Sequence, residues 1–136
     1  MNIVHKLVID ENNIENVENL YHENGWTAYS NNRQKLINAI NNSYNISIWE
    51  EELLVALIRV VTDMETILYI QDILVLPYKQ RKGYGSLLIK EVESKFSNVK
   101  QKVLLTDESK KTRSFYESLN YKSCDDGVVV AFMKYI

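Results

Sequence analysis

Two long apolar runs, Leu53–Val61 and Ile67–Leu76, are separated only by the turn around Thr62 to Glu65. Neither alternates cleanly between apolar and polar residues, so a strand built from either is apolar on both faces. Such strands belong at the centre of a sheet that is covered on each side. Pro77 ends the second run, because proline has no N–H for a ladder. The rest of the chain supplies further strands and the cover.

Ile14, Val17, Leu20 and Tyr21 recur on one helical face. Asn12 followed by Glu15 reads as a capping box at its start and Gly25 as its stop. A second helix is expected around Arg33 to Asn41, with Leu36, Ile37 and Ile40 inward. Tyr84, Leu88, Val92 and Phe96 mark a strong amphipathic helix, and Thr112 to Leu119 a short one with Asn120 in the left-handed position after it. Ile3–Ile9, the alternating Tyr44–Trp49, Lys102–Thr106, Tyr121–Ser123 and Val128–Tyr135 read as additional strands. Helices interleaved with strands and a few direct strand turns predict an α/β or α+β fold with a mixed sheet. No internal repeat is present.

A chain of 136 residues is expected to form a single domain, 1–136. Sixteen Lys and Arg against eighteen Asp and Glu give a net charge of −2, which argues against nucleic acid as a partner. The single cysteine, Cys124, excludes an internal disulfide and fits a reducing compartment. The start has no apolar core of signal-peptide length, and no segment can cross a bilayer. A cytoplasmic protein with no membrane partner is expected. His5 and His22 lack companions at ligand spacing, so no metal is expected.

The segment Ile73–Leu88, ILVLPYKQRKGYGSLL, carries the chemistry. It runs strand, proline, basic loop with two glycines, helix. Gly83 and Gly85 let the backbone turn tightly and come close to a ligand. The free N–H groups of the first helical turn, with Lys79, Arg81 and Lys82 nearby, form a cradle for phosphate oxygens. A Walker loop needs GxxxxGK(S/T), which is absent. A dinucleotide fingerprint needs a third glycine where Leu88 stands, and should follow the first strand of the fold.

Gln80-Arg81-Lys82-Gly83-Tyr84-Gly85, preceded by Val75-Leu76-Pro77, resembles the acyl-CoA loop of the GNAT superfamily of N-acetyltransferases, Gln/Arg-x-x-Gly-x-Gly/Ala. Downstream, TRSFYESLNY resembles the family's AxxFYExxGF helix, with Thr112 for Ala and Asn120 for Gly. One helix and one strand separate the two matches, in the family's order. The resemblance implies a mixed, mostly antiparallel central sheet of six to seven strands flanked by about four helices.

It also implies roles. Ile73, Leu74 and Val75 would pair with the pantetheine arm of acetyl-CoA, with the Leu74 N–H, freed by a bulge, polarising the thioester carbonyl. Gln80, Arg81, Lys82, Gly83, Tyr84, Gly85 and Ser86 would hold the diphosphate. Tyr116 aligns with the family's general acid for the departing thiolate, and Ser109 stands where the family commonly has an Asn that meets the cofactor. An acceptor amine with a pKa near about 10.4 must lose a proton before it attacks. Asp72, in an otherwise apolar strand, is the expected base or amine anchor, beside Gln71 where relatives often have a second acid. Trp26 and Tyr29 lie in the stretch that roofs the family's acceptor pocket.

The expected function is acetyl transfer from acetyl-CoA to a primary amine of a small molecule or protein by direct attack. No Ser/His/Asp or Cys/His set suggests an acyl-enzyme. The alternative is a non-catalytic acyl-CoA-binding or sensing module. The apolar stretch VVVAFMKYI suits a homodimer contact.

Overall fold

The computed structural model describes residues 1–135. The chain divides into two compact units, Met1–Leu104 and Leu105–Ile136.

The first unit is built on a five-stranded sheet in the order β1-β2-β3-β4-β5. Its strands are β1 (Asn2–His5), β2 (Tyr44–Glu50), β3 (Leu53–Thr62), β4 (Ile67–Val75) and β5 (Gln101–Leu104). The first four pair antiparallel, and β4 with β5 is parallel. The two apolar runs become β3 and β4, and every residue of β3 from Leu54 to Val60 is buried. Burial of consecutive residues requires cover on both faces.

The register shows which helix covers which face. Tyr44 pairs with Val60 across β2 and β3, and its ring meets Phe96, just beyond α4 (Tyr84–Lys95), edge-on at 5.0 Å. Arg59, the next residue along β3, points to the opposite face and pairs with Asp72. There Tyr21 of α1 (Ile14–Glu23) reaches Asp72. Helix α1 therefore covers one face and α4 the other. Helix α4 is also the crossover that a parallel β4–β5 pair requires.

Local chemistry sets the helix ends. The capping box expected at Asn12 does not form. Helix α1 starts one residue later, after Asn13, whose side-chain oxygen accepts from the Asp10 N–H at 3.0 Å. Its amide nitrogen donates to the Val8 carbonyl at 2.9 Å, so Asn13 ties back the entering chain and leaves the helix uncapped. Gly25 follows the helix at φ +79°, the left-handed turn expected of it. A one-turn helix, α2 (Thr27–Ser30), carries no apolar period and was not anticipated. Helix α3 (Arg33–Asn41) buries Leu36 and Ile40, and its Asn32 cap accepts from the Lys35 N–H at 3.2 Å.

The second unit holds α5 (Lys110–Ser118), which ends with Asn120 at φ +70°. Arg113 organises the unit, donating to Glu108 at 2.7 Å, Ser123 at 3.0 Å and Asp125 at 2.9 Å. The strands expected at Tyr121–Ser123 and Val128–Tyr135 are not formed among the described residues, which leaves five strands instead of six or seven. Val128, Val130, Phe132 and Tyr135 are exposed. An apolar run becomes a strand only where another strand completes its ladder.

Candidate active site

Strand β4 has two different edges. Along β3 it is paired from Leu68 to Val75 apart from Gln71, but β5 pairs only with Ile67–Ile70. From 71 to 75 that second edge has no strand partner among the described residues. A ladder argument shows which groups open onto it. The Leu76 N–H donates to the Val55 carbonyl at 2.9 Å, so Leu76 faces β3. Antiparallel pairing alternates, so Leu74 and Asp72 also turn their backbone groups toward β3. Ile73 and Val75 turn theirs to the open edge. The Val75 carbonyl confirms this by accepting from the Gln80 side chain at 3.2 Å.

This corrects the expectation for Leu74. Its amide belongs to the β3 ladder, opposite Leu57, and its side chain is buried. The bulge expected near it lies three residues earlier. Register shifts between Arg59 and Val60, which face Asp72 and Ile70, and Gln71 is the extra residue. The amides on this stretch that face the edge without a strand partner are those of Ile73 and Val75.

The loop after β4 has the expected form. Pro77–Lys79 makes one 3-10 turn, and α4 begins after Gly83. Gly83 takes φ +88°, a left-handed conformation that lets the chain swing into the helix. Arg81 also sits at positive φ, +63°, and is exposed together with Lys82. The first intrahelical bond runs from Leu87 to the Gly83 carbonyl at 3.0 Å. The N–H groups of Tyr84, Gly85 and Ser86 precede it and have no carbonyl in the helix to meet. They and the helix dipole point at one place, flanked by Arg81 and Lys82.

Lys79 and the Tyr84 hydroxyl are drawn elsewhere. Both donate to the Glu50 carboxylate at the end of β2, Lys79 at 2.7 Å. The hydrogen bonds from Lys79 and Tyr84 hold the Glu50 carboxyl below its ordinary pKa, and the same contacts raise those of Lys79 and Tyr84. Glu50 therefore braces the loop against the sheet and removes Lys79 from the free cations. Its contribution was not foreseen, because it lies in a charged turn some thirty residues upstream.

On the α1 face, Asp72 is wholly enclosed. Its Oδ2 accepts from Arg59 Nε at 2.7 Å and from the Tyr21 hydroxyl at 2.8 Å. Its Oδ1 is buried with no hydrogen-bond partner. Burial, then the Asp72 charge, pushes the Tyr21 phenol well above its usual pKa. Burial disfavours the charged form of Arg59, but the Asp72 carboxylate outweighs that and raises its pKa. Tyr21 also meets the Tyr29 ring edge-on at 5.8 Å, and Tyr29 stacks on Trp26 at 5.8 Å. Tyr21 thus joins Tyr29, and through it Trp26, to Asp72, and Arg59 is the second partner of that carboxylate; the sequence singled out neither Tyr21 nor Arg59 as functional.

In the second unit, Ser109 caps α5. Its hydroxyl accepts from the Thr112 N–H at 3.1 Å and donates to the Thr112 hydroxyl at 2.8 Å. Tyr116 lies on the same helix, half-buried between Phe115 and Tyr121, and burial pushes its phenol up to about 12.

The sequence profile of the acetyltransferase (GNAT) domain matches residues 15–136. The chain belongs to the GNAT acetyltransferase family. As a member, it is an N-acetyltransferase. A GNAT-family acetyltransferase from Streptococcus pneumoniae is similar at 28% identity and a TM-score of 0.79, over 98% of this chain and 97% of that one. A probable acetyltransferase from methicillin-resistant Staphylococcus aureus, itself of unknown function, shares the fold at 19% identity and a TM-score of 0.74, over 98% and 100% of the two chains. An aminoglycoside N-acetyltransferase solved in complex with CoA shares it at 12% identity and a TM-score of 0.74, over 99% and 95%. No curated protein matches by sequence. In this GNAT chain the motif that resembles the family's acyl-CoA loop falls on the cradle just described, and no helix of the described residues is long and apolar enough to cross a membrane.

Proposed function

We propose that residues 1–136 act as one acetyltransferase domain that moves an acetyl group from acetyl-CoA to a primary amine. The observation that carries this reading is the pairing, within one strand and its following loop, of an open backbone edge at 71–75 with the helix-start cradle at Gly83. A pantetheine arm needs the first and a diphosphate the second. In this reading Ile73 and Val75 meet the arm, and Arg81 to Ser86 hold the phosphates. One of the two edge amides donates to the thioester oxygen, where negative charge develops as the neutral amine attacks. Tyr116 gives its proton to the departing thiolate. A phenol at about 12 is a reluctant donor to a free thiolate near about 8.5, but an apolar setting raises the thiol as well.

Trp26 and Tyr29 form a wall of the acceptor pocket, with Gln71 at its base. Asp72 has no accessible side-chain surface, so it acts on the acceptor through Arg59 and not as the direct base. The enclosure of Asp72 also favours a second reading, a non-catalytic acyl-CoA sensor. An aminoglycoside N-acetyltransferase with the same fold supports a small-molecule amine over a protein amino group as acceptor. The exposed apolar residues between Val128 and Tyr135 support a homodimer, and the single free cysteine a cytoplasmic setting.

Thermal shift and calorimetry with acetyl-CoA, CoA and ATP form the first test. Stabilisation by the first two is expected, and a response to ATP alone would overturn the cofactor. Free-thiol release over a panel of amines follows. Release with any amine supports transfer, while tight acetyl-CoA binding with no release on any amine supports the sensor.

A further inference from the structure

Of Asp72, Tyr21 and Arg59 in the buried cluster on the α1 face, Arg59 alone keeps an exposed part. The Asp72 side chain has 0% exposure and Tyr21 is likewise enclosed, whereas the Arg59 side chain keeps 9%. Its donors are unevenly committed. Nε goes to Asp72 at 2.7 Å, and Nη1 goes to the Ser43 hydroxyl at 3.3 Å. Nη2 makes no hydrogen bond and is not sealed from solvent.

Its location ties it to the reaction proposed above. Arg59 lies opposite Asp72 in the β3–β4 ladder, and Ile73 is the next residue along β4. Arg59 therefore sits one register step from Ile73, on the β3 side of β4. Tyr29 is within its electrostatic reach and stacks on Trp26, which is 38% exposed. An acceptor that reached this cluster would meet an N–H of the guanidinium and no open carboxylate oxygen, since Asp72 Oδ2 is taken by Arg59 and Tyr21 and Oδ1 is buried. Such a donor favours an oxyanion and disfavours a second cation. It also assists the neutral form of an amine placed beside it.

We propose that Arg59 selects acceptors bearing a carboxylate next to the reactive amine, as in α-amino acids. This rests on the transferase reading. The test uses matched probes with and without the carboxylate: phenylalanine with phenethylamine, tyrosine with tyramine, and histidine with histamine. Each is assayed with acetyl-CoA by free-thiol release, with product mass as confirmation. The carboxylated member is expected to have a kcat/KM at least about tenfold higher, mostly through KM. The variant is Arg59→Gln combined with Asp72→Asn, which removes both buried charges together and so preserves the fold better than Arg59→Gln alone. It is expected to lose the preference while calorimetry shows unchanged acetyl-CoA affinity. Equal or better turnover of the carboxyl-free amines overturns the proposal, as does a preference that survives in the double variant. Thiol release on none of the six probes but on other amines of the panel overturns the proposal, whereas release on no amine at all, with acetyl-CoA bound, overturns the transferase reading itself.

Discussion

The Arg59–Asp72 pair makes a sharp stability prediction. Its side chains are 9% and 0% exposed, and the carboxylate accepts from both Arg59 and Tyr21 on a single oxygen. Taking one partner away strands the other charge out of water. Arg59→Met should therefore cost about 3–5 kcal/mol, and Asp72→Asn a similar amount. Against a total stability of about 5–15 kcal/mol, either loss leaves the protein close to unfolding. Removing both together leaves no stranded charge. The double variant Arg59→Met, Asp72→Asn should fall within about 1–2 kcal/mol of the parent, although the Tyr21 hydroxyl keeps an amide oxygen to bond. Urea unfolding followed by tryptophan fluorescence reads this directly, because Trp26 and Trp49 both lie in the unit that holds the pair. The cycle should give a coupling of several kcal/mol, with unchanged m-values. Single variants that each cost less than about 1 kcal/mol, or a double variant whose cost is their simple sum, would refute the reasoning.

Gly83→Ala should lower stability by about 1–2 kcal/mol, since φ is +88° and the added methyl meets open space, so the cost is conformational alone. Chemical denaturation checks it, and acetyl-CoA affinity should fall as well. Tyr116→Phe should cut thiol release by about 10²–10⁴-fold through kcat with little change in KM; an unchanged kcat removes Tyr116 as the acid. Tyr116, at about 12 against an ordinary value near 10, should also destabilise the fold at high pH. Its folded pKa is raised, so the stability is complete below about pH 10 and falls as pH climbs toward 12. A stability series followed by far-UV circular dichroism should show that decline, and it should be shallower in Tyr116→Phe.

The centre of the sheet was legible because β3 and β4 declare themselves by apolar residues at consecutive positions. The cradle was legible because its glycines and cations are contiguous. Asp72 stood out as an acid in an apolar strand, but its partner did not, for a geometric reason. Counting back from the turn in unbroken register sets Arg59 opposite Gln71. Only the extra residue at Gln71 brings Asp72 across from Arg59. Nothing local in Ile70-Gln71-Asp72 announces a bulge, so the amide assigned to Leu74 was displaced for the same kind of reason. The C-terminal run misled in the other direction. Val128 to Val130 have strong β propensity, yet propensity without a neighbouring ladder leaves them in irregular, exposed chain.

The bulge coincides with the start of the open edge, and we take it as the cause. Pairing of β5 with β4 stops at Ile70, the residue immediately before the extra one. A bulge bends its strand and increases the local twist, so β4 is expected to part from β5 at that point, where β5 itself ends at Leu104. Deleting Gln71 tests this cleanly. It restores one-to-one register with β3 while keeping Arg59 opposite Asp72 and Val60 opposite Ile70. Urea stability should then stay within about 1 kcal/mol of the parent, since the buried pair and the apolar contacts survive. Acetyl-CoA affinity should nevertheless drop by at least about tenfold in calorimetry, because a straightened β4 no longer parts from β5. A stable deletion variant that binds acetyl-CoA as tightly as the parent would show that the edge at 71–75 is open for some reason other than the bulge.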